Sequence, residues 1–234
     1  MHLDYNGENQ DIWLQSNVTL RKFIGILGML LPFLLWFFLW IESGEVEVLR
    51  SISHYYYTRL DGVFIISISS LALFLIFYTG YKTIDFILSF IAGIAAFILL
   101  IFPTDSFIDF YPNPEFSFSN TVLPQNALRE WLHFGAAGVF IFILAIMSIF
   151  LFTRSDKSKQ QRGLRKIWRN RIYRICGFGM LLAISVIALK ALGLIDLDFY
   201  KNHKLTFWME VVALELFGIS WLVKAETFLK DRTP

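Results

Sequence analysis

The chain has a single cysteine, Cys176, which excludes an intramolecular disulfide and a cysteine-built zinc cluster. It falls within an apolar run and reads as a buried, inert thiol. Charge is also sparse. Only 17% of the 234 residues are charged while 56% are hydrophobic, with a mean hydropathy of +0.56. That balance excludes a disordered chain and an ordinary soluble domain. Nucleophile and phosphate motifs are missing: there is no GxSxG, no SxxK, no glycine-rich phosphate loop and no HExxH or HxxxH pair. No internal repeat is visible either, so the inverted-repeat signature of many transporters is absent.

What is abundant is apolar length, with 25 Phe and 7 Trp. A spanning helix needs about 20 mostly apolar residues to cross a hydrocarbon core of about 30 Å. Six segments meet or approach this: 23–41, 62–80, 84–102, 131–152, 175–195 and 205–228. The expectation is an all-α polytopic membrane protein, a single six-helix transmembrane bundle over 23–229. A segment 1–22 precedes it and a short tail 230–234 follows. Only Tyr81, Lys82 and Thr83 separate the second and third spans, which therefore form a tight hairpin. The first span follows a long mixed-charge segment and lacks a small-residue cleavage site, so it is not a signal peptide. Pro32 within it predicts a kink, which a membrane bundle tolerates.

The near-neutral net charge of +2 conceals a strong asymmetry. The loop 154–174 sums to +8 and the rest of the chain to −6. The positive-inside rule places that loop in the cytoplasm. An even number of spans then puts both termini there, N-in and C-in, in a bacterial inner (plasma) membrane. Ten acids, among them Glu45, Asp105, Asp109 and Glu115, fall in the opposite loops. Gly163–Arg174 (GLRKIWRNRIYR) carries Leu164, Ile167, Trp168, Ile172 and Tyr173 at helical spacing between bases. It is either an interfacial helix with its arginines on anionic headgroups or an extension of span five. Nucleic acid is not an expected partner of so short a loop against a membrane. The aromatic outer loop 103–130 is expected to fold over the outer mouth of the bundle.

Chemistry has two candidate locations. His54, His133 and His203 fall on the outer side, near Asp61, Glu130 and Glu210. Histidines and carboxylates from separate helices can hold zinc and activate water. The plainer reading is interfacial histidines capping helices, with no metal and no cofactor. Within the hydrocarbon, Lys190 and Glu210 share a depth that suits an ion pair between spans five and six. Glu215 is deeper and has no sequence partner. Lys224 and Asp85 share the inner level, where they either pair or leave Lys224 to snorkel. Ser67, Ser69 and Ser70, and the small run Gly135–Gly138, are read as close helix contacts.

Two stretches carry a resemblance. Ser51–Phe64, SISHYYYTRLDGVF, ends an outer loop with a polar turn and an acid before span two. Trp131–Phe142, WLHFGAAGVFIF, places a His two residues before a Gly-Ala pair. With six spans and cytoplasmic termini, the chain resembles the DRAM-like group: damage-regulated autophagy modulators, FGF-receptor-activating proteins and relatives acting on lipid anchors and phosphoinositide signalling. It is also similar to an uncharacterised bacterial six-span family with YYYT in the first loop, AGIAAFILLIFPT in span three and FGISWLVKAE in span six. The resemblance implies a membrane protein engaged with lipids, with Ser53, His54, Asp61 and His133 at the outer mouth. It brings no catalytic mechanism.

The sequence thus predicts a non-enzymatic protein that binds or organises membrane lipid or another amphiphile. Its outer-leaflet cavity would be lined by His54, Tyr57, Arg59, Asp61, His133 and Glu210. Arg59, with its fork of donors, is the expected headgroup ligand. The alternatives are a membrane-embedded metal hydrolase using His54, His133 and His203, and an ion- or proton-coupled conductor using Glu215 and Lys190. A homo-oligomer stays open.

Overall fold

The computed structural model describes residues 5–44, 46–80, 82–104, 119–120, 123–155 and 163–229, with side chains from residue 18 onward. Among these residues the α-helices in chain order are α1 (Tyr5–Ser43), α2 (Asp61–Phe77), α3 (Thr83–Ile101), α4 (Ala127–Ile146), α5 (Leu164–Ala191), α6 (Leu197–Asn202) and α7 (Leu205–Lys224). A 3₁₀ turn, Ile52–Tyr57, precedes α2, and α4 continues into a π turn, Met147–Leu151. The only β pairing among the described residues is one isolated bridge, Thr58 to Ser119.

Among the described residues five helices are long and apolar enough to cross a membrane: Val18–Ser43, Thr83–Ile101, Ala127–Leu151, Leu164–Ala191 and Leu205–Lys224. Helices of this kind mark an integral membrane protein. The remaining expected span, the second (62–80), corresponds to α2, a shorter apolar helix of 17 residues. Its end is set by Tyr78, whose backbone leaves the helix for an extended conformation. Helix α1 runs 39 residues, continues across Pro32, and begins inside the 1–22 segment. The basic stretch after Gly163 is the opening of α5 itself, so of its two readings the extension of span five is the one found. There Trp168 is exposed and the Arg171 guanidinium lies 4.9 Å from its ring.

The helices close into a ring, α1 against α2, then α3, α4, α5 and α7, with α7 returning to α1. The α1–α2 and α4–α5 contacts are the thinnest. Outward faces are apolar at helical spacing, as Phe86, Phe90 and Ile94 show on α3, where lipid rather than water is the natural solvent. Close approach is bought with small residues. A Cβ on Gly218 of α7 would stand 2.6 Å from the Gly25 carbonyl of α1. A Cβ on Gly177 of α5 would stand 2.9 Å from the Ala145 carbonyl of α4.

The two ends of the ring differ chemically. At the arginine end, fully buried Trp221 meets Tyr78, Phe152 and Phe217, with ring centroids 4.9, 5.4 and 5.9 Å away. Cations ride on this aromatic node: Arg21 lies 5.6 Å from the Tyr78 ring and Lys224 5.4 Å from Phe152. Arg154 bridges to buried Asp85 at 3.1 Å, and buried Arg169 to Glu226 at 3.0 Å. The other end carries the histidines.

Candidate functional site

At the histidine end the chain between α1 and α2 is strapped to the start of α7. The Phe207 amide donates to the Arg50 carbonyl at 3.0 Å. Lys204, in the left-handed region at φ 50°, sends its ammonium to Glu47 and to the Val48 carbonyl, each at 2.7 Å. Glu210, one turn into α7, accepts from the Ser51 hydroxyl at 2.9 Å and from the Ile52 amide at 2.6 Å. Ser51 also caps the 3₁₀ turn, its Oγ accepting from the Ser53 amide at 3.1 Å. These bonds fix the turn that presents Ser53 and His54.

Beneath the turn lies a cavity of about 420 Å³ inside the helix ring. Its walls are apolar, with Leu31, Phe64, Ile68, Phe140, Ile184 and Leu214 contributed by five helices. Its rim is cationic: Arg50, Lys190, Lys201 and Lys204 all border it, against the single carboxyl of Glu210. A volume in this range, apolar with a few converging polar groups, is the usual form of a small-molecule site. The cavity reaches between α4 and α5, where Gly135 and Ala188 are exposed. Here the expectation of a close helix contact is corrected: a Cβ on Gly135 or Gly138 would meet nothing within 4 Å. The two helices close on one another at the arginine end, through Gly177 and the bond from Ser148 Oγ to the Tyr173 carbonyl at 2.8 Å. Gly135, Ala137 and Gly138 border a void instead, while Ala136 packs into the core.

Three of the expected residues, His54, His133 and Glu210, share this cavity. His133 is 2% exposed; its Nδ1 stands 2.8 Å from the Phe102 carbonyl and its Nε2 3.0 Å from Ser53 Oγ. A carbonyl can only accept, so Nδ1 carries a proton, and in the neutral ring Nε2 is then the acceptor that faces the serine hydroxyl. Burial above all, then the neighbouring His133, Arg50 and Lys190, pushes the His54 imidazole down to about 3. It is therefore neutral at ordinary pH. Tyr200 of α6 is buried against the same cavity, accepts from Thr206 Oγ1 at 3.1 Å, and has its phenol pushed up by burial.

The other expected residues lie elsewhere. The Tyr57 hydroxyl donates to the Thr104 carbonyl at 2.7 Å. Arg59 bridges to Glu42 on the exposed surface. Asp61, the first residue of α2, accepts from the neighbouring Gly62 amide at 2.6 Å and from Asn120 Nδ2 at 2.9 Å. None of these three borders the cavity. His203 is exposed and bonded to the Phe199 carbonyl at 2.8 Å, and among the described residues no group of three or more His, Cys, Asp or Glu converges as a metal site.

Lys190 borders the cavity with Glu210, but its ammonium stands 5.8 Å from the Tyr200 ring while Ser51 and Ile52 occupy the carboxyl. Glu215 is half-buried on α7. Asp85 takes Arg154 and the Lys82 amide, and Lys224 covers Phe152. Of the expected roof 103–130, residues 105–118 and 121–122 lie outside the described residues, as do Glu45, Tyr81, the 156–162 part of the basic loop and 230–234.

Arg50, Ser51, Tyr200, Lys201 and Lys204 were not singled out from the sequence as site residues. A signal for them existed in part: Ser51 precedes the turn as a cap residue, and the lysines flank a short polar break between apolar runs. No protein-family model matches the chain, and no curated protein or solved structure matches it either.

Proposed function

We propose that this chain is a six-span membrane protein, with α2 as the second span, whose cavity binds an anionic lipid or lipid-like amphiphile. The observation that carries the reading is the pairing of an apolar chamber of about 420 Å³ with a lining of Arg50, Lys190 and Lys201, Lys204 being taken by Glu47. Acyl chains suit the walls and a phosphate or carboxylate head suits the rim. Arg50 and Lys190 replace Arg59 as the proposed headgroup ligands, because Arg59 is held by Glu42.

The orientation follows from the two ends. Arg154, Arg165, Lys166, Arg169, Arg171 and Arg174 gather at the end away from the cavity. The positive-inside rule then puts that end in the cytoplasm with both termini, and the cavity in the outer leaflet of a bacterial-type inner membrane. The arginine end also suits anionic headgroups of the inner leaflet. The two sequence motifs are consistent with lipid work of the DRAM-like kind.

The test is native mass spectrometry of the full chain, purified in mild detergent from membranes containing phosphatidylglycerol. Bound phospholipid is expected in the wild type, reduced at least tenfold in Gly138→Phe, whose ring fills the chamber, and weakened in Lys190→Ala. A lipid-free wild type, or Gly138→Phe with undiminished lipid, would overturn the reading.

A further inference from the structure

The Ser53–His133 contact is arranged as a nucleophile and its base. Ser53 Oγ stands 3.0 Å from His133 Nε2, and the far nitrogen of the ring stands 2.8 Å from the Phe102 carbonyl, so the neutral ring presents its acceptor nitrogen to the hydroxyl. A hydroxyl, an imidazole that accepts from it and a third group that orients the imidazole constitute an activated nucleophile, recognised by geometry and not by sequence position. Both side chains border the cavity, whose lining also holds the cations Arg50 and Lys190 and the apolar Phe64 and Phe140, so a boundary between charged and apolar lining falls within the same chamber. In a bound acyl lipid that boundary is where the ester sits, between head and chain. Arg50 and Lys190 both act electrostatically on His54, the residue beside Ser53, so positive charge lies near an oxyanion formed there.

We propose that Ser53 and His133 form an acyl-transfer dyad that cleaves the ester of an amphiphile held in the cavity. This rests on the amphiphile reading and revises the expectation of a non-enzymatic role. The Ser53 oxygen bonds to the ester carbonyl carbon while its proton passes to His133 Nε2. The tetrahedral adduct then breaks its bond to the alcohol oxygen, and the departing alcohol takes the proton from His133. Water attacks the acyl-serine, its proton returns through His133 to Ser53 Oγ, and a fatty acid leaves. An ester and water give an acid and an alcohol, with no electron gained or lost.

The experiment places the full chain in phosphatidylglycerol nanodiscs and uses three readouts. These are labelling by an alkyl fluorophosphonate mapped by mass spectrometry, fatty-acid release, and lipid binding by native mass spectrometry. Labelling at Ser53 and fatty-acid release are expected. Both should fall by about 100-fold or more in Ser53→Ala and His133→Gln, as loss of a nucleophile or general base requires. Ser185→Ala, on the exposed face of α5, should behave as wild type. Ser53→Ala loses one hydroxyl from a half-buried side chain at the cavity and should keep its bound lipid, which separates chemistry from folding. A wild type that binds lipid but neither labels at Ser53 nor releases acid overturns the dyad and leaves the binding reading standing. A wild type that binds no lipid overturns both.

Discussion

Removing the Glu210 carboxyl should loosen the Ser51–Tyr57 turn and, with it, the cavity's cationic rim. Two donors address that carboxyl, the Ser51 hydroxyl at 2.9 Å and the Ile52 amide at 2.6 Å. Ser51 and Ile52 are themselves buried. In Glu210→Ala each donor loses its acceptor, at about 1–3 kcal/mol per group left unsatisfied. The two share one anchor and are not fully additive, so about 3 kcal/mol is expected. Glu210→Gln keeps one oxygen for one donor but turns an amine toward the other, and about half that loss follows. Glu215→Gln, five residues further along α7, is the control: its carboxyl engages no side chain among the described residues, and under about 0.5 kcal/mol is expected. Reversible unfolding in mixed micelles, followed by tryptophan fluorescence, measures the ranking. Hydrogen exchange at the Ile52 amide measures its locality. Equal losses in Glu210→Ala and Glu215→Gln, or an Ile52 amide as protected as in wild type, would refute the strapping of the turn to α7.

Two further outcomes follow from the structure. His54 is held neutral, with its folded value at about 3 against 6.5 for the free ring. The unfolded state therefore binds more protons between those values, and stability is lost as pH falls below about 6.5. About 3 kcal/mol should go by pH 4, and His54→Phe should flatten the acid limb of a stability profile in detergent. His133, Arg50 and Lys190, the groups acting on the ring, stay in place in that variant. The glycines of the bundle should divide into two kinds under alanine substitution. Gly218→Ala forces a methyl against the Gly25 carbonyl and should cost about 1–3 kcal/mol. Gly138→Ala meets nothing and should be neutral or stabilise by up to about 1 kcal/mol. Similar destabilisation in both would contradict the void between α4 and α5.

The membrane helices were legible because hydropathy integrates over 20 residues and needs no partner to be known. Their ends were less so. Nothing in LLPFLLWFF stops α1 short of Tyr5, and nothing in GLRKIWRNRIYR distinguishes a separate interfacial helix from the first turns of α5. Helix length beyond the hydrocarbon is set by packing and caps. The site was legible one residue at a time. His54, His133 and Glu210 stand out as rare polar groups at one level, and all three border the cavity. Arg50 and Arg59 look alike in the sequence, but the 3₁₀ turn between them sends one to the cavity and the other to Glu42. The Ser53–His133 bond joins residues 80 apart, a spacing no local motif encodes. Gly135 and Gly138 misled for a different reason. A missing side chain permits close approach and empty space equally, and only the neighbouring helix decides between them.

The notch those glycines leave between α4 and α5 changes what concentration means for this chain. Gly135 and Ala188 on its walls are exposed, so on the proposed lipid reading a hydrophobic molecule would arrive by diffusing in the plane of the bilayer. Occupancy is then governed by the molecule's mole fraction in the surrounding leaflet, and dilution of the sample in buffer leaves it unchanged. Enlarging the lipid pool at constant ligand empties the chamber. A plot of occupancy against aqueous concentration would shift with every change of lipid content, while the same data against mole fraction should fall on a single curve.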